Sequence, residues 1–414
     1  MGRLKEKSNA DLLIFLAWVV YTVSYLGKVN YSANITQVID FYQITKAQAG
    51  IVPTFLFFSY GIGQVVNGIL CKKYNIKWAI FGSLFVSAII NLMIAFNTEF
   101  GIIKWFWMIN GFALSVLWPS IIRLLSEELP KKDLGRSSVI MGTTVAAGTL
   151  IIYVLSSLYA TMNNFKLAFY TASIAEMSVA VFWLLFYKKA VDRAENTTTN
   201  EVTKQETTVV HKTGHSANEL KLLYISVCIL SVCAIAVNLI KDGLSTWVPS
   251  ILKEEYSASD SISILLTLFL PMVAIFGNGL ALKMHKKIPD YITQCFIVFL
   301  VVGGIILIII MSLSLKYAVL MLLSLIAVML LASSLNSLIT SIYPMFMRER
   351  VNSGLFAGVL NGFCYVGSTI SSYGLGYISD KFGWSTVFWT LIAFCILICL
   401  IWCVYILIKR SLQQ

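Results

Sequence analysis

Residues 11–34 read DLLIFLAWVVYTVSYLGKVNYSAN, an apolar run with a lysine, Lys28, near its far end. A membrane-spanning helix needs about 20 mostly apolar residues, and this run, taken as 12–34, supplies them. Eleven further stretches qualify, at roughly 47–70, 78–97, 102–125, 137–160, 165–187, 219–248, 259–282, 290–312, 316–345, 352–377 and 384–408. Of the 414 residues, 58% are hydrophobic and only 12% charged, against about 25% charged in a soluble protein. The composition excludes an ordinary soluble globule and predicts an all-α membrane protein with twelve transmembrane helices. Residues 188–218, KKAVDRAENTTTNEVTKQETTVVHKTGHSAN, are polar and Thr-rich and read as a flexible cytoplasmic linker. They divide the chain into a six-helix bundle at 1–187 and a second at 219–414. The N-terminal MGRLKEKSNADLL leads straight into a span too long for a signal-peptide core, so no cleavable leader is expected.

The net charge of +11 could suggest nucleic acid, but its distribution suggests topology. With both termini cytoplasmic, 23 of the 31 Lys and Arg fall in inner segments and 6 in outer ones. Such a bias orients a multi-pass protein, so no nucleic-acid partner is needed. The two basic residues left over, Lys28 and Lys241, lie inside spans.

These two lysines are 213 residues apart, each late in the first span of its half. Lys28 precedes Lys73 by 45 residues and Lys241 precedes Lys286 by 45. Pro130 and Arg136 recur as Pro344 and Arg350 at an offset of 214. The coincidences predict two parallel copies of a six-helix unit, the architecture of carriers whose halves rock about a midplane site. In that arrangement Lys28 and Lys241 face each other across a central cavity. A charge at mid-span costs about 2.5–3.5 kcal/mol on insertion scales and marks a functional site by default. Snorkelling to the interface is the bland alternative for Lys28. Two ammonium groups on one cavity call for an anion, phosphate or carboxylate.

Tyr21, Tyr25 and Lys28 follow at spacings of four and three and share a helix face, where phenol hydroxyls beside an ammonium suit a phosphate. Gln64, Asn67, Asn336, Asn361 and Tyr365 are further polar candidates within spans, with interhelical hydrogen bonding as the competing role. Asp242 follows Lys241 but points about 100° away on a helix, so it need not neutralise the lysine. Asp242 and Glu176 are the candidate coupling acids, with a buried structural carboxyl as the rival reading of Glu176. Gly354, Gly358 and Gly362 predict a face of close helix approach, and Trp118-Pro119 predicts a kink. The histidines, His211, His215 and His285, fall in cytoplasmic segments. The eight cysteines lie mostly in apolar runs without His or acid partners, which predicts no metal. No cofactor motif and no catalytic constellation appears, so an enzyme is not expected. A channel is the rival class, but paired charges in a six-plus-six repeat fit a carrier better.

Several stretches resemble the organophosphate:phosphate antiporter family of the major facilitator superfamily. YLGKVNY (25–31) looks like its first-span motif, with Lys28 where an essential arginine stands. LIKDGLSTWVPSILKE (239–254) looks like its seventh-span motif, with Lys241 at the second arginine. WPSIIRLLSEELPKKDLGR (118–136) and YVGSTISSYGLGYISDKFGW (365–384) are similar to its fourth-span and eleventh-span signatures. The resemblance implies the major facilitator fold. It also implies anion binding by the two basic residues, helped by tyrosines of the first and eleventh spans, and alternating access. Both arginines are lysines here, and a lysine lacks the planar fork that grips a phosphoryl group. The family's second-span lysine appears as Gln64, its fifth-span histidine falls near Thr143, and Lys72 replaces the acid of the superfamily loop motif. The expected function is secondary transport of a small organic anion across a cytoplasmic membrane. A sugar or glycerol phosphate, exchanged for inorganic phosphate, is the first choice. A carboxylate carrier working by proton symport or exchange is the alternative. A non-transporting anion sensor is the third reading, disfavoured by the short linker. A monomer is expected.

Overall fold

In the computed structural model the described residues are 11–71, 73–198, 217–346 and 353–413. The repeat partner Arg350, the loop residue Lys72, most of the linker, and His211 and His215 lie outside them.

All regular structure among the described residues is helical. The spans are α1 (Asp11–Ala33), α2 (Lys46–Leu70), α3 (Ile76–Phe96), α4 (Phe100–Glu128), α5 (Asp133–Thr161), α6 (Lys166–Thr198) and α7 (Ala217–Tyr256). Next come α8, in two pieces (Asp260–Ala274 and Gly277–Lys287) bent by 42°, then α9 (Tyr291–Leu315) and α10 (Ala318–Ile342). The final helix, Ser353–Gln413, has 61 residues. At about 1.5 Å per residue it would reach roughly three times a bilayer's hydrocarbon thickness if straight. It is broken at Gly383, where φ is 78° and ψ 172°, a conformation that costs glycine nothing. The break makes α11 (353–382) and α12 (384–413) and completes twelve spans. A connection of several residues is expected there from sequence; one glycine suffices. The linker is also shorter than expected, because α6 continues past Lys188 to Thr198.

The surface is that of a membrane protein. Large apolar side chains such as Leu185 and Leu400 are 70% and 60% exposed, facing where lipid would be. The polar side chains turn inward, with Asn30, Asn91, Asn110, Ser87 and Glu176 all fully buried.

Prolines shape the spans, and two of the carbonyls they free find new donors. Pro119 has no N–H for the carbonyl of Ser115, four residues back. The helix opens at Ser115–Val116, just ahead of the expected kink, and Gln64 Nε2 of α2 donates to that carbonyl at 3.3 Å. Pro53 likewise frees the carbonyl of Ala49, which accepts from the Tyr31 hydroxyl at 3.0 Å. α2 begins on a capping box: Gln48 N donates to Thr45 Oγ1 at 3.1 Å and Thr45 N donates to Gln48 Oε1 at 2.9 Å.

The halves meet along α2 with α11 and α5 with α8. Thr54 Oγ1 donates to Thr369 O at 3.1 Å, and Ser157 Oγ lies 2.8 Å from Ser261 Oγ. Close approach between the halves falls at Gly50 against Ser372 and Gly61 against Tyr365. Of the stripe expected in α11, Gly358 has nothing within 4 Å of where a Cβ would be, and Gly362 meets only Val65 at 3.6 Å.

Candidate functional site

At the end of the molecule away from the termini, charged side chains bind the halves together. Lys46 Nζ lies 2.8 Å from Glu254 and 3.7 Å from Asp380. Lys253 Nζ lies 2.5 Å from Asp40 and 2.9 Å from Asp260. Asp380 also accepts from the backbone N–H groups of Lys46 (3.2 Å) and Ala47 (2.7 Å) at the start of α2, where the helix dipole favours a carboxylate. At the opposite end the pairs Arg136–Asp11, Arg123–Glu127 and Lys409–Asp290 each stay within one half.

Between the halves lies a cavity of about 390 Å³, lined from α1, α2, α5, α7, α8, α10 and α11. Lys28 and Lys241 both line it, with Tyr25, Asp242, Asn361 and Tyr365. Lys28 is only 8% exposed, so it does not snorkel to the interface. Its ammonium sits 3.5 Å from the centre of the Tyr60 ring, 5.2 Å from Tyr25 and 5.7 Å from Tyr365. The electron-rich ring faces stabilise the cation, and among the described residues no carboxylate lies within 4.0 Å of it. Lys241 is held differently. Its Nζ lies 3.3 Å from Asp242 Oδ1, and Ser368 on α11 donates its hydroxyl to Asp242 Oδ2. Adjacency on the helix therefore does not separate the two charges: flexible side chains bring them together on the cavity wall.

The other candidates divide. Tyr21 is buried one layer behind the cavity, its ring 5.6 Å from Tyr25 and 4.8 Å from Trp118. Gln64 is outside the lining and serves the carbonyl that Pro119 frees. Asn67 donates to Ser115 Oγ at 2.8 Å, and Asn336 accepts from Asn238 at 2.9 Å while also lining the cavity. Glu176 is away from the cavity. It accepts from Ser87 Oγ at 2.8 Å and Asn91 Nδ2 at 3.3 Å. Asn91 also accepts from Asn30 at 2.8 Å, and Asn110 donates to the carbonyl of Gly27 at 2.9 Å. This buried network grips α1 beside Lys28, and Gly27 makes room for it: a Cβ there would lie 2.6 Å from the Glu176 carboxyl carbon.

Sequence reasoning missed Tyr60 and Ser368. A tyrosine under a cation reads like any aromatic of a span, and a serine that fixes an acid reads like small-residue packing.

The sequence model described as Major Facilitator Superfamily matches residues 17–355. Curated relatives match over part of the chain. A Chlamydia pneumoniae protein named "Probable hexose phosphate transport protein" is 23% identical over 161 residues, 39% of this chain and 35% of that protein. The "Membrane sensor protein UhpC" of Escherichia coli (strain K12) is 19% identical over 170 residues, 41% of this chain and 39% of that protein. The matched segments thus span little more than a third of these relatives' length. Among solved structures, a bacterial homologue of the human lysosomal transporter Spinster, inward-facing and occupied, superposes with a TM-score of 0.76 at 14% identity, covering 98% of each chain.

Proposed function

The chain belongs to the Major Facilitator Superfamily, and on that premise we propose that it is a secondary active transporter of a small organic anion. The observation that carries this reading is the pair Lys28 and Lys241, one from the first span of each half, on a single cavity between the halves. An anion held by both couples the two bundles, which is what alternating access requires. The ion pairs at one end form a gate that rocking would break and remake. The bias of basic residues supports a closed end on the outer side and both termini in the cytoplasm.

A sugar phosphate or glycerol phosphate is the first substrate class, with inorganic phosphate as counter-substrate. The partial match to a hexose phosphate transport protein supports it. Tyr25, Tyr365 and Asn361 offer hydrogen-bond donors on the same cavity. The match to a membrane sensor protein supports a second reading, binding without flux. A carboxylate carrier has its support in the lysines, which hold an anion as point charges.

The test is a thermal-shift screen of purified protein against phosphate, glycerol 3-phosphate, glucose 6-phosphate and small carboxylates, followed by counterflow in proteoliposomes. A ligand that binds only the folded state raises its stability with concentration. Stabilisation and flux with phosphate esters are expected. Stabilisation without flux would establish the sensor, and stabilisation by carboxylates alone would replace the substrate class.

A further inference from the structure

Among the described residues, three that line the cavity bear a formal charge: Lys28, Lys241 and Asp242. Two positive charges and one negative leave a net charge of +1. Asp242 is held in place twice, by Lys241 at 3.3 Å and by the Ser368 hydroxyl. It is therefore part of the wall and not an acid free to turn away. The ionisable groups facing it are Lys241 on its own helix, Lys28 on α1, and Cys364 and Tyr365 on α11. The thiol and the phenol are neutral at pH 7, so they do not alter the count.

We infer that Asp242 limits the bound substrate to a single net negative charge. The inference rests on the anion-transport reading and narrows its substrate class. A monoanion neutralises the cavity. A dianion would leave an excess negative charge beside Asp242 in a site of low dielectric. It enters only with one proton taken up from solvent. A phosphate monoester, whose second ionisation lies near pH 6, is therefore taken as its monoanion or with one proton added. A phosphodiester or a monocarboxylate enters without one. Lys28 fits this division of labour: caged by three tyrosine rings and, among the described residues, with no carboxylate within 4.0 Å, it is the cation left to meet the anion.

The experiment is calorimetry on the intact protein at pH 5.5 and pH 8, in buffers of different ionisation enthalpy so that protons are counted. The probes are glycerol 3-phosphate, its methyl diester, glycerate and succinate. The wild-type protein should bind glycerol 3-phosphate at least tenfold more tightly at pH 5.5 and take up close to one proton per ligand at pH 8. The diester should bind with no proton uptake. Asp242→Asn should flatten the pH profile and tighten dianion binding at pH 8 at least tenfold. Glycerate binding without a proton and succinate binding with one, in place of the phosphate esters, would uphold the charge rule and overturn the phosphate-ester choice. Dianion binding at pH 8 with no proton taken up would overturn the inference while leaving the anion carrier standing. Failure of every probe to bind would overturn both. The wild-type proton count decides the matter even if Asp242→Asn does not fold.

Discussion

The Lys28 ammonium of the first half lies 5.7 Å from the centre of the Tyr365 ring of the second. The two halves therefore share the cage around one cation. Tyr365→Ala should weaken anion binding about tenfold, the scale of a desolvated cation–ring contact. Tyr365→Phe keeps the ring and should lose only a few-fold, a loss that measures the hydroxyl. Equal losses in the two variants, read as Kd by calorimetry, would show that the ring face contributes nothing.

Gly61 allows that reach, because a Cβ on it would lie 2.7 Å from the Tyr365 Cβ. Gly61→Ala should cost about 1–3 kcal/mol by overpacking, seen as a lowered Tm. The double variant Gly61→Ala with Tyr365→Gly, which removes that Cβ, should recover most of the overpacking loss when compared with Tyr365→Gly alone. Additive losses would mean that the clash is relieved some other way.

Lys28→Ala and Lys241→Ala should each abolish anion binding while the protein still inserts. Lys241→Ala carries an extra penalty, since it leaves Asp242 with only the Ser368 hydroxyl and makes the cavity uncharged. Normal uptake by either single variant in proteoliposomes would remove that lysine from the site.

Glu176 sits outside the cavity with Ser87 and Asn91 as donors, so it should behave as a structural group. Glu176→Gln should transport close to normally with a lowered Tm, whereas Glu176→Ala, which takes from the buried Ser87 hydroxyl the carboxylate it donates to, should lose about 1–3 kcal/mol. Loss of proton-driven uptake with unchanged stability in Glu176→Gln would instead make it the coupling acid.

Asp290 caps α9 outside the bilayer. Burial tends to push its carboxyl up, but hydrogen bonds from Thr293 and Lys409 outweigh that and hold it below the usual carboxylate range. A depressed value means that the folded state binds this proton later than the unfolded chain. The stabilisation is fully present above the ordinary carboxylate value, near pH 4, and is lost as pH falls through the lower folded value. Asp290→Ala should cost about 1 kcal/mol at neutral pH as a lost cap. The gap from wild type, followed by thermal unfolding, should close only at acid pH; a constant gap down to the acid limit would contradict the assignment.

Much of this architecture is legible in the sequence because charge in an apolar run is costly. Lys28 and Lys241 announce themselves, and the equal spacing to Lys73 and Lys286 pairs the two halves. Tyr25, Asn361 and Tyr365 follow from helical periodicity and from the family resemblance. What escapes depends on partners in another helix. Gln64 serves a carbonyl that a proline frees on α4, and Tyr60 matters because a cation from α1 rests on it. Neither relationship leaves a mark within its own span. The pairing of Lys241 with Asp242 runs against their angular separation on the helix, because long side chains bend to a charge that a wheel diagram keeps apart.

The proposed gate at the end away from the termini would leave its residues in working order on parting. Asp380 covers the first N–H groups of α2 from the opposite half, so separation strips that helix of a borrowed cap. Thr45 and Gln48 keep their own reciprocal cap in place, and the helix end has no reason to unravel while the halves are apart. The same amides are then presented unchanged to Asp380 when it returns. Opening in the proposed cycle would thus cost the cross-half bonds and no refolding of the α2 end.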